Sequence, residues 1–205
     1  MPTDLDICPL TAERFPDLAA LFEQGGDPKW CWCAYFRNRG VDFSAGSRAR
    51  HRRVLETATE ETAREGRAPG LVAYRDGAVV GWVSVGPRGD YERLAHSRVL
   101  APVDDKPVWS IVCFVVGRQA RGQGVARALL DAAIDYARDH GATTLEAYPI
   151  ELTGGERPAS DLVYKGTLSM FEAAGFSVVT RRNTTAATPP RPIVRRAIRP
   201  RRTSK

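Results

Sequence analysis

The chain has 205 residues, 43% of them hydrophobic, and a formal net charge of +6. This length and apolar content suffice for one buried core, so we expect a single domain over residues 1–200. No apolar run is long enough to cross a membrane, and the acidic N-terminus lacks the apolar segment of a signal peptide. We therefore predict a cytoplasmic protein without membrane contacts, whose four cysteines are reduced thiols.

Basic residues are concentrated at the C-terminus. Residues 181–205 hold nine of the 30 Lys and Arg side chains and no Asp or Glu, so the rest of the chain has a net charge of −3. Such a cluster is one signature of nucleic-acid binding. A strand pattern centred on Ile193 and Val194 argues against that partner, because it places most of these residues in the fold. Only residues 201–205 are then predicted to be a basic tail.

The N-terminal part of the chain predicts one strand and two helices. Residues 5–10 are predicted to form the strand, and residues 11–22 a helix that Thr11 caps, with apolar residues at helical spacing. The second helix, at residues 47–65, is highly charged. Because its few apolar residues form only a narrow stripe, we expect it to lie on the surface. The stripe includes Val54, Leu55 and Ala58.

An aromatic segment separates these two helices. Residues 30–36 read Trp-Cys-Trp-Cys-Ala-Tyr-Phe. Large rings usually seal a core, but ring faces also hold apolar or cationic ligands, so both interpretations stay open. Cys31 and Cys33 suggest a zinc site, yet no second pair of ligands accompanies them at the usual spacing. We predict no metal and assign these thiols to apolar packing.

The rest of the chain predicts an α/β domain. Strand patterns occur at residues 71–74, 78–85, 108–116, 143–148, 176–180 and within 191–199, and helix patterns at residues 124–140 and 161–174. The dipeptide Asp76-Gly77 predicts a tight hairpin between the first two of these strands. Gly141 predicts the end of the helix before it. Residues 86–107 are charged and irregular, which suits a loop on the substrate side.

One junction of strand and helix has the pattern of a phosphate site. A buried strand ends near Val116, and Gly122 and Gly124 follow before the next helix begins. The first N–H groups of a helix lack intrahelical partners and lie at the positive end of its dipole, and glycine lets an anion approach the backbone. Arg121 adds a guanidinium that suits phosphate oxygens. We therefore predict an anion site at this junction.

Two other phosphate-binding loops have related glycine spacing. The dinucleotide fingerprint would place its ribose-binding acid near Glu146, but it needs a third glycine where this chain has Arg127. A side chain there would obstruct close packing of helix and strand, and that interpretation leaves Arg121 without a role. A nucleoside-triphosphate loop needs Gly-Lys-Ser/Thr, which does not follow.

Two motifs resemble one family. Residues 121–126, Arg-Gly-Gln-Gly-Val-Ala, match the Arg/Gln-x-x-Gly-x-Gly/Ala signature of the GNAT superfamily, the acyl-CoA N-acyltransferases. Residues 171–176, Phe-Glu-Ala-Ala-Gly-Phe, resemble that family's aromatic-x-x-x-Gly-Phe signature. The resemblance implies an α/β fold with a mixed, mostly antiparallel central sheet, splayed between strands 4 and 5, and helices on both faces.

The resemblance also implies that acetyl-CoA is the acyl donor. In the family, the backbone of the fourth strand pairs with the pantetheine amides, and the following turn holds the pyrophosphate. The strand positions correspond to Phe114, Val115 and Val116. The turn positions are Arg121, Gly122, Gln123, Gly124, Val125 and Ala126.

The resemblance implies transfer to a primary amine, which needs a base for the ammonium and an acid for the leaving thiolate. The family's usual acid, a tyrosine, corresponds to Phe171, which cannot donate a proton. Tyr164, two turns earlier on the same predicted helix face, is the better substitute; Ser169 is also on that helix but off the face. The strand carboxylate of some members corresponds to Ser110, which leaves Glu146 as a base that acts through water.

The acceptor and the partners stay open at this point. In the family, the loop between the first two helices lies over the acetyl group, so the resemblance implies that Trp30, Trp32 and Tyr35 face a small-molecule or protein amine. Loss of the tyrosine at Phe171 keeps a second function open, a non-catalytic or regulatory acyl-CoA-binding module. Nucleic-acid binding by the basic tail is a third, disfavoured hypothesis, and the sequence leaves a homodimer open.

Overall fold

The computed structural model describes residues 5–40, 42, 44, 46–151, 163–183 and 191–199. These residues form a seven-stranded sheet in the order β1-β2-β3-β4-β5-β7-β6. The strands are β1 (Asp6–Pro9), β2 (Gly70–Arg75), β3 (Ala78–Pro87), β4 (Trp109–Val116), β5 (Thr144–Ala147), β6 (Ser177–Arg182) and β7 (Arg191–Ala197). All neighbours pair antiparallel except β4 and β5, which are parallel. The predicted mixed, mostly antiparallel sheet is confirmed.

Seven helices surround the sheet in the described residues. They are α1 (Phe15–Glu23), α2 (Pro28–Cys31), α3 (Ala34–Arg37), α4 (Ser47–Arg64), α5 (Glu92–His96), α6 (Val125–Asp139) and α7 (Leu168–Glu172). None of the helices that the structure describes is long and apolar enough to cross a membrane. The predicted basic tail, residues 201–205, lies outside the described residues.

The sheet is splayed beside β4. This strand pairs with β3 from Trp109 to Val116, but with β5 only at three positions, from Trp109 opposite Leu145 to Ile111 opposite Ala147. Beyond Ile111, the β5-facing edge of β4 has no strand partner among the described residues. Its backbone groups from Val112 onwards are therefore open to a ligand on that side.

Helix α6 closes one face of the sheet. Leu129, Ala133 and Ile134 are buried against β2, β3 and β4, as the apolar face of this segment predicts. Gly81 permits the close approach, because a Cβ there would lie 2.8 Å from a Val125 methyl carbon. Gly141, at φ 80°, follows the helix as expected.

The opposite face is covered by α1 to α5. Leu18, Phe22 and Trp82 form the centre of a core under α1, and Tyr91 and Leu94 belong to a neighbouring cluster under α5. The predicted hairpin between β2 and β3 is confirmed, since Asp76 and Gly77 both have positive φ, 50° and 74°.

Two N-terminal predictions need correction. Helix α1 begins at Phe15 instead of Thr11, because residues 11–14 form turns and Pro16 suits the first helical turn. The residue at the cap position is Arg14 instead of Thr11, and no side chain makes a capping hydrogen bond to α1 in the described residues. Helix α4 is not confined to the surface, because Thr59 and Thr62 extend its buried face. Their hydroxyls donate to the carbonyls of residues 55 and 58, at 2.8 and 2.7 Å, so they can be buried as well.

The predicted last helix is interrupted. Val163–Lys165 is a short 3-10 turn, Gly166 has a φ of 73°, and α7 begins only at Leu168. Thr167 caps α7 by accepting a hydrogen bond from the backbone N–H of Met170. Because the left-handed Gly166 separates the two pieces, residues 163–174 do not form one helix. The first two residues of the predicted helix, 161 and 162, lie outside the described residues.

Candidate active site

The turn between β4 and α6 has the geometry that the sequence predicts for an anion site. Gly122 and Gly124 have φ values of 73° and 79°, which side chains rarely adopt, and a Cβ on either would meet no atom within 4 Å. The exposed turn leads into α6, a 15-residue helix whose first N–H groups face this space. Arg121 is exposed beside it, with its Nε donating to the carbonyl of Val116 at 3.3 Å.

Gln123 orders this turn from within. Its side-chain nitrogen donates to the carbonyl of Gln119 at 2.7 Å, and its oxygen accepts a hydrogen bond from Arg75. The side chain is thus occupied by the protein, so only the backbone of Gln123 is available to an anion.

The open part of β4 points its side chains to both faces of the sheet. Phe114 packs in the core beneath α6, Val115 packs in the core beneath α1, and Val116 is half-buried. Because the side chains are engaged on the faces, what this strand offers along its free edge is backbone. This is the recognition surface that the resemblance implies for these three residues.

A cavity of about 390 Å³ lies where the sheet opens. Strand β4 forms one wall, the segment from α2 to α3 a second, and Tyr164 and Lys165 with Arg191 a third. The lining residues are Asp27, Pro28, Cys31, Cys33, Tyr35, Phe36, Val112, Cys113, Val115, Tyr164, Lys165 and Arg191. A smaller cavity of about 120 Å³ shares Pro28 and Val115 with it and reaches Arg118 and Arg121. The two cavities connect the glycine turn with the opening of the sheet.

Tyr164 lies in this cavity, as a candidate acid must. Its hydroxyl is 3.3 Å from where a Cβ on Gly26 would stand, and it is half-buried. Burial, with the nearby Asp27 carboxylate, raises the pKa of Tyr164, so the phenol keeps its proton at neutral pH. The sequence placed this residue on the helix of Phe171; the structure instead brings it to the site on the separate 3-10 turn.

Phe171 and Ser169 do not reach the cavity. Phe171 is fully buried, with its ring centroid 6.1 Å from that of Phe114 and 5.1 Å from that of Phe176. Ser169 is exposed at the start of α7 and hydrogen-bonds the Thr167 hydroxyl at 3.2 Å. The proposed catalytic role of Ser169 is therefore not supported by its position.

Glu146 is placed differently from the predicted base. It is fully buried, and Oε1 accepts hydrogen bonds from Arg88 and from the Tyr148 hydroxyl, both at 2.6 Å. Oε2 accepts from Arg195 at 2.8 Å. Because both oxygens are occupied and the residue does not line the cavity, the structure assigns Glu146 to an ion cluster. Arg88 also donates to the carbonyl of Leu100, so the cluster fixes the segment between β3 and β4.

The aromatic segment divides between core and cavity. Trp32 is fully buried between Phe15 and Phe22, so it belongs to the core and not to a substrate surface. Trp30 is 37% exposed and lies outside the cavity lining, whereas Tyr35 is part of it. The cause is local: Trp32 and Cys33 both have positive φ, which breaks the helix between α2 and α3 and turns neighbouring rings in different directions.

Asp27 is a site residue that the sequence did not reveal. It precedes α2 in the position of a helix cap, yet its side chain makes no capping hydrogen bond. Its Oδ2 atom is buried and has no hydrogen-bond partner among the described residues, and the residue lines the cavity. An Asp before Pro28 is a common cap signal, so nothing in the pattern separates this residue from an ordinary helix start. No group of three or more His, Cys, Asp or Glu side chains in the described part of the chain is arranged to hold a metal ion.

A splayed α/β sheet with a glycine turn at the start of a long helix and a cavity at the opening defines the architecture of an acyltransferase. The family model described as Acetyltransferase (GNAT) family matches residues 30–153. The chain belongs to this family, as the two motifs predict, and membership implies an acyl-CoA-dependent acyltransferase. None of the curated proteins matches the chain.

Solved structures share the fold over nearly the whole chain. Histone acetyltransferase HPA2 and related acetyltransferase from Corynebacterium glutamicum is 18% identical, with a TM-score of 0.57 and coverage of 93% of this chain and 94% of that one. Ribosomal-protein-alanine N-acetyltransferase from Brucella melitensis is 20% identical, with a TM-score of 0.56 and coverage of 94% and 99%. PaiA N-acetyltransferase from Thermoplasma acidophilum, in complex with coenzyme A, is 13% identical, with a TM-score of 0.52 and coverage of 95% and 99%.

Proposed function

We propose that this protein transfers an acetyl group from acetyl-CoA to a primary amine. The observation that carries the proposal is the free edge of β4, which runs from the glycine turn to the cavity. An extended donor with a pyrophosphate at one end and a thioester at the other fits this path. The structural neighbour from Thermoplasma acidophilum contains coenzyme A, which supports the choice of donor.

The residues of the turn and of β4 suit the donor. Backbone N–H groups from Gly122 to Ala126 and the Arg121 guanidinium would hold the pyrophosphate. Backbone groups from Phe114 to Val116 would pair with the amides of the pantetheine arm, and an N–H on this edge would polarise the thioester carbonyl. Acetyl-CoA supplies the activated acyl group, and the protein supplies its position.

The cavity would hold the acceptor amine. Asp27 presents a carboxylate oxygen that has no hydrogen-bond partner among the described residues, so an ammonium group gains its strongest contact there, away from the cationic lining residues Lys165 and Arg191. The Arg93 guanidinium covers one face of the Tyr35 ring, 4.0 Å from its centroid, so a cationic acceptor would use the other face. The acceptor is a small amine or the amine of a protein; the neighbour from Brucella melitensis is named for a ribosomal-protein alanine.

The two titratable groups would divide the proton transfers. Asp27 accepts a proton from the ammonium and passes it to solvent, and the amine nitrogen attacks the thioester carbon. The carbon–sulfur bond then breaks, and the nitrogen loses its second proton to solvent as the amide forms. Tyr164 gives its proton to the departing thiolate and regains one through solvent. Glu146 and Ser169 have no part in this scheme, because neither lines the cavity.

The proposal is tested by binding and turnover measured together. Calorimetry gives acetyl-CoA affinity, and chromatography gives acetylated product from a panel of small amines and N-terminal peptides. We expect Tyr164→Phe to bind acetyl-CoA like the parent but to transfer acetyl groups at least about 100-fold more slowly. Lack of acetyl-CoA binding by the parent protein would refute the proposal.

A second function is favoured by one observation. The position of the family's tyrosine is occupied by Phe171, which is fully buried in the core and has no proton to donate. A non-catalytic or regulatory acyl-CoA-binding module would have this feature. Acetyl-CoA binding without turnover of any amine in the panel would select this module over the enzyme.

A further inference from the structure

Three of the four cysteines meet at the candidate acceptor cavity. Cys31 and Cys33 come from the segment between α2 and α3, and Cys113 from β4, and all three line the cavity. Cys8 lies apart on β1, and all four cysteines are free thiols. The structure thus brings Cys33 and Cys113, which are 80 positions apart in sequence, to the same cavity.

The backbone holds Cys33 in place at a cost. Cys33 has a φ of 52° and follows Trp32 at 48°, and two consecutive residues other than glycine are rarely left-handed. The left-handed conformation of Trp32 is fixed by its fully buried ring, which packs between Phe15 and Phe22. The left-handed conformation of Cys33 places its sulfur 3.2 Å from Nε1 of Trp82, which donates a hydrogen bond to the sulfur.

The three cysteines at the cavity differ in the surroundings that set their pKa values. A hydrogen bond from the Cys113 thiol, with the second one from Trp82, lowers the pKa of Cys33 although the residue is buried. The same hydrogen bond and burial raise the pKa of Cys113 well above its usual value. Burial raises the pKa of Cys31 to about 12. Cys33 is therefore the thiol with most thiolate character, and Cys113 is a protonated thiol in contact with it.

We propose that Cys33 and Cys113 form a reversible disulfide across this cavity when a hydroperoxide enters it. The placement of acceptor binding at the same cavity rests on the proposed function, whereas formation of the cross-link does not. A peroxide is small enough for a cavity of about 390 Å³, and Cys33, although only 4% exposed, is part of the lining of that cavity, as is Cys113.

The reaction balances with the hydroperoxide as oxidant. The Cys33 thiolate attacks one peroxide oxygen, the O–O bond breaks, and Cys33 becomes a sulfenic acid while the other oxygen leaves as an alcohol or water. The Cys113 sulfur then attacks the Cys33 sulfur, the S–O bond breaks, and water leaves with the Cys113 proton. Two thiols are oxidised to one disulfide, and one hydroperoxide is reduced. An added dithiol reduces the disulfide back to two thiols by thiol–disulfide exchange.

The cross-link would act on the site directly. It would tie Cys33, which directly precedes α3 and its residue Tyr35, to β4, which forms the opposite wall. The acceptor must enter between these walls, so we expect oxidation to lower acetyl transfer at least tenfold and dithiothreitol to restore it.

The experiment uses the full chain treated with hydrogen peroxide, then alkylated and digested. We expect mass spectrometry to show a peptide pair linked through Cys33 and Cys113, with Cys8 and Cys31 alkylated. Cys33→Ser and Cys113→Ser should each abolish the pair, and the ratio of oxidised to reduced activity should stay near one in both. Cys8→Ser and Cys31→Ser are the matched controls and should retain the cross-link.

Several results would overturn this inference. One is that all four thiols are still alkylated after peroxide treatment. The others are a disulfide-linked peptide pair that contains Cys31, and oxidation of Cys33 without any cross-link. Thermal melting shows whether each variant folds; if Cys33→Ser does not, Cys113→Ala gives the same test from β4. The mass measurement is independent of turnover, so an inactive protein that forms the cross-link counts against the proposed function only.

Discussion

The two halves of β4 have different surroundings. Ser110, near the strand start, lies beside β5 in a closed ion cluster, where Glu146 is shared by Arg88 and Arg195. From Val112 onwards the strand borders the cavity, and within the described part of the chain its edge has no strand partner and the buried Asp27 oxygen has no hydrogen-bond partner. Glu146 and Asp27 both lie near β4. The arginine partners of Glu146 suit a structural role, whereas the unpaired oxygen of Asp27 suits its proposed chemical role.

The largest expected effect tests that assignment by activity. Asp27→Asn removes the base but keeps the shape of the side chain, so kcat/KM for amine acetylation should fall by about 10²- to 10⁴-fold. Glu146→Gln is the matched control, because its carboxylate lies outside the cavity. Steady-state kinetics on both variants checks this. A larger loss in Glu146→Gln, measured on folded protein, would reverse the two roles.

Unfolding free energy should show the opposite order. Glu146→Gln removes the one carboxylate that pairs with Arg88 among the described residues, and it leaves the half-buried Arg195 with Asp104 alone. The variant should therefore lose about 3–5 kcal/mol in urea denaturation. Glu151→Gln removes an ion pair with Arg181 that is exposed, and its loss should stay below about 1 kcal/mol. Equal losses in the two variants would show that the cluster around Glu146 does not stabilise the fold.

A third prediction extends the comparison to the turn at the far end of β4. Arg121→Ala removes a charged hydrogen-bond donor from the predicted pyrophosphate site, so acetyl-CoA binding should weaken by about 1.5–3 kcal/mol. The control is Arg127→Ala, since Arg127 lies in the first turn of α6, close to the glycine turn, but pairs with Asp131 on the exposed surface of that helix. Calorimetry of both should distinguish a local contact from a general effect of positive charge.

The smallest expected effect concerns the aromatic lining. Tyr35→Ala should raise KM for a cationic acceptor by about 2- to 30-fold, equivalent to about 0.5–2 kcal/mol, while its melting temperature changes little. Trp30→Ala should leave KM unchanged, because Trp30 does not line the cavity. A rise in KM for Trp30→Ala alone would place the acceptor outside this cavity.

The sequence by itself determined the features that depend on near neighbours. The seven strands, the hairpin at Asp76-Gly77, the end of α6 at Gly141 and the glycine turn after β4 all follow from patterns within a few residues. The short helices α2, α3 and α5 were not predicted, and α5 lies in a segment that was predicted to be irregular. Tyr164 stays a predicted acid: it lines the cavity, although the helix that suggested it is interrupted by Gly166.

Only the tertiary structure decided which side chains act together. Glu146 meets Arg88 and Arg195, which are 58 and 49 positions away, and the sulfur of Cys33 meets Trp82 across 49 positions. No local pattern encodes such pairs, because they depend on strand order and on where the sheet opens. The same holds for Asp27, whose position reads as a helix cap, and for Trp32, whose burial follows from a left-handed backbone that sequence propensity disfavours.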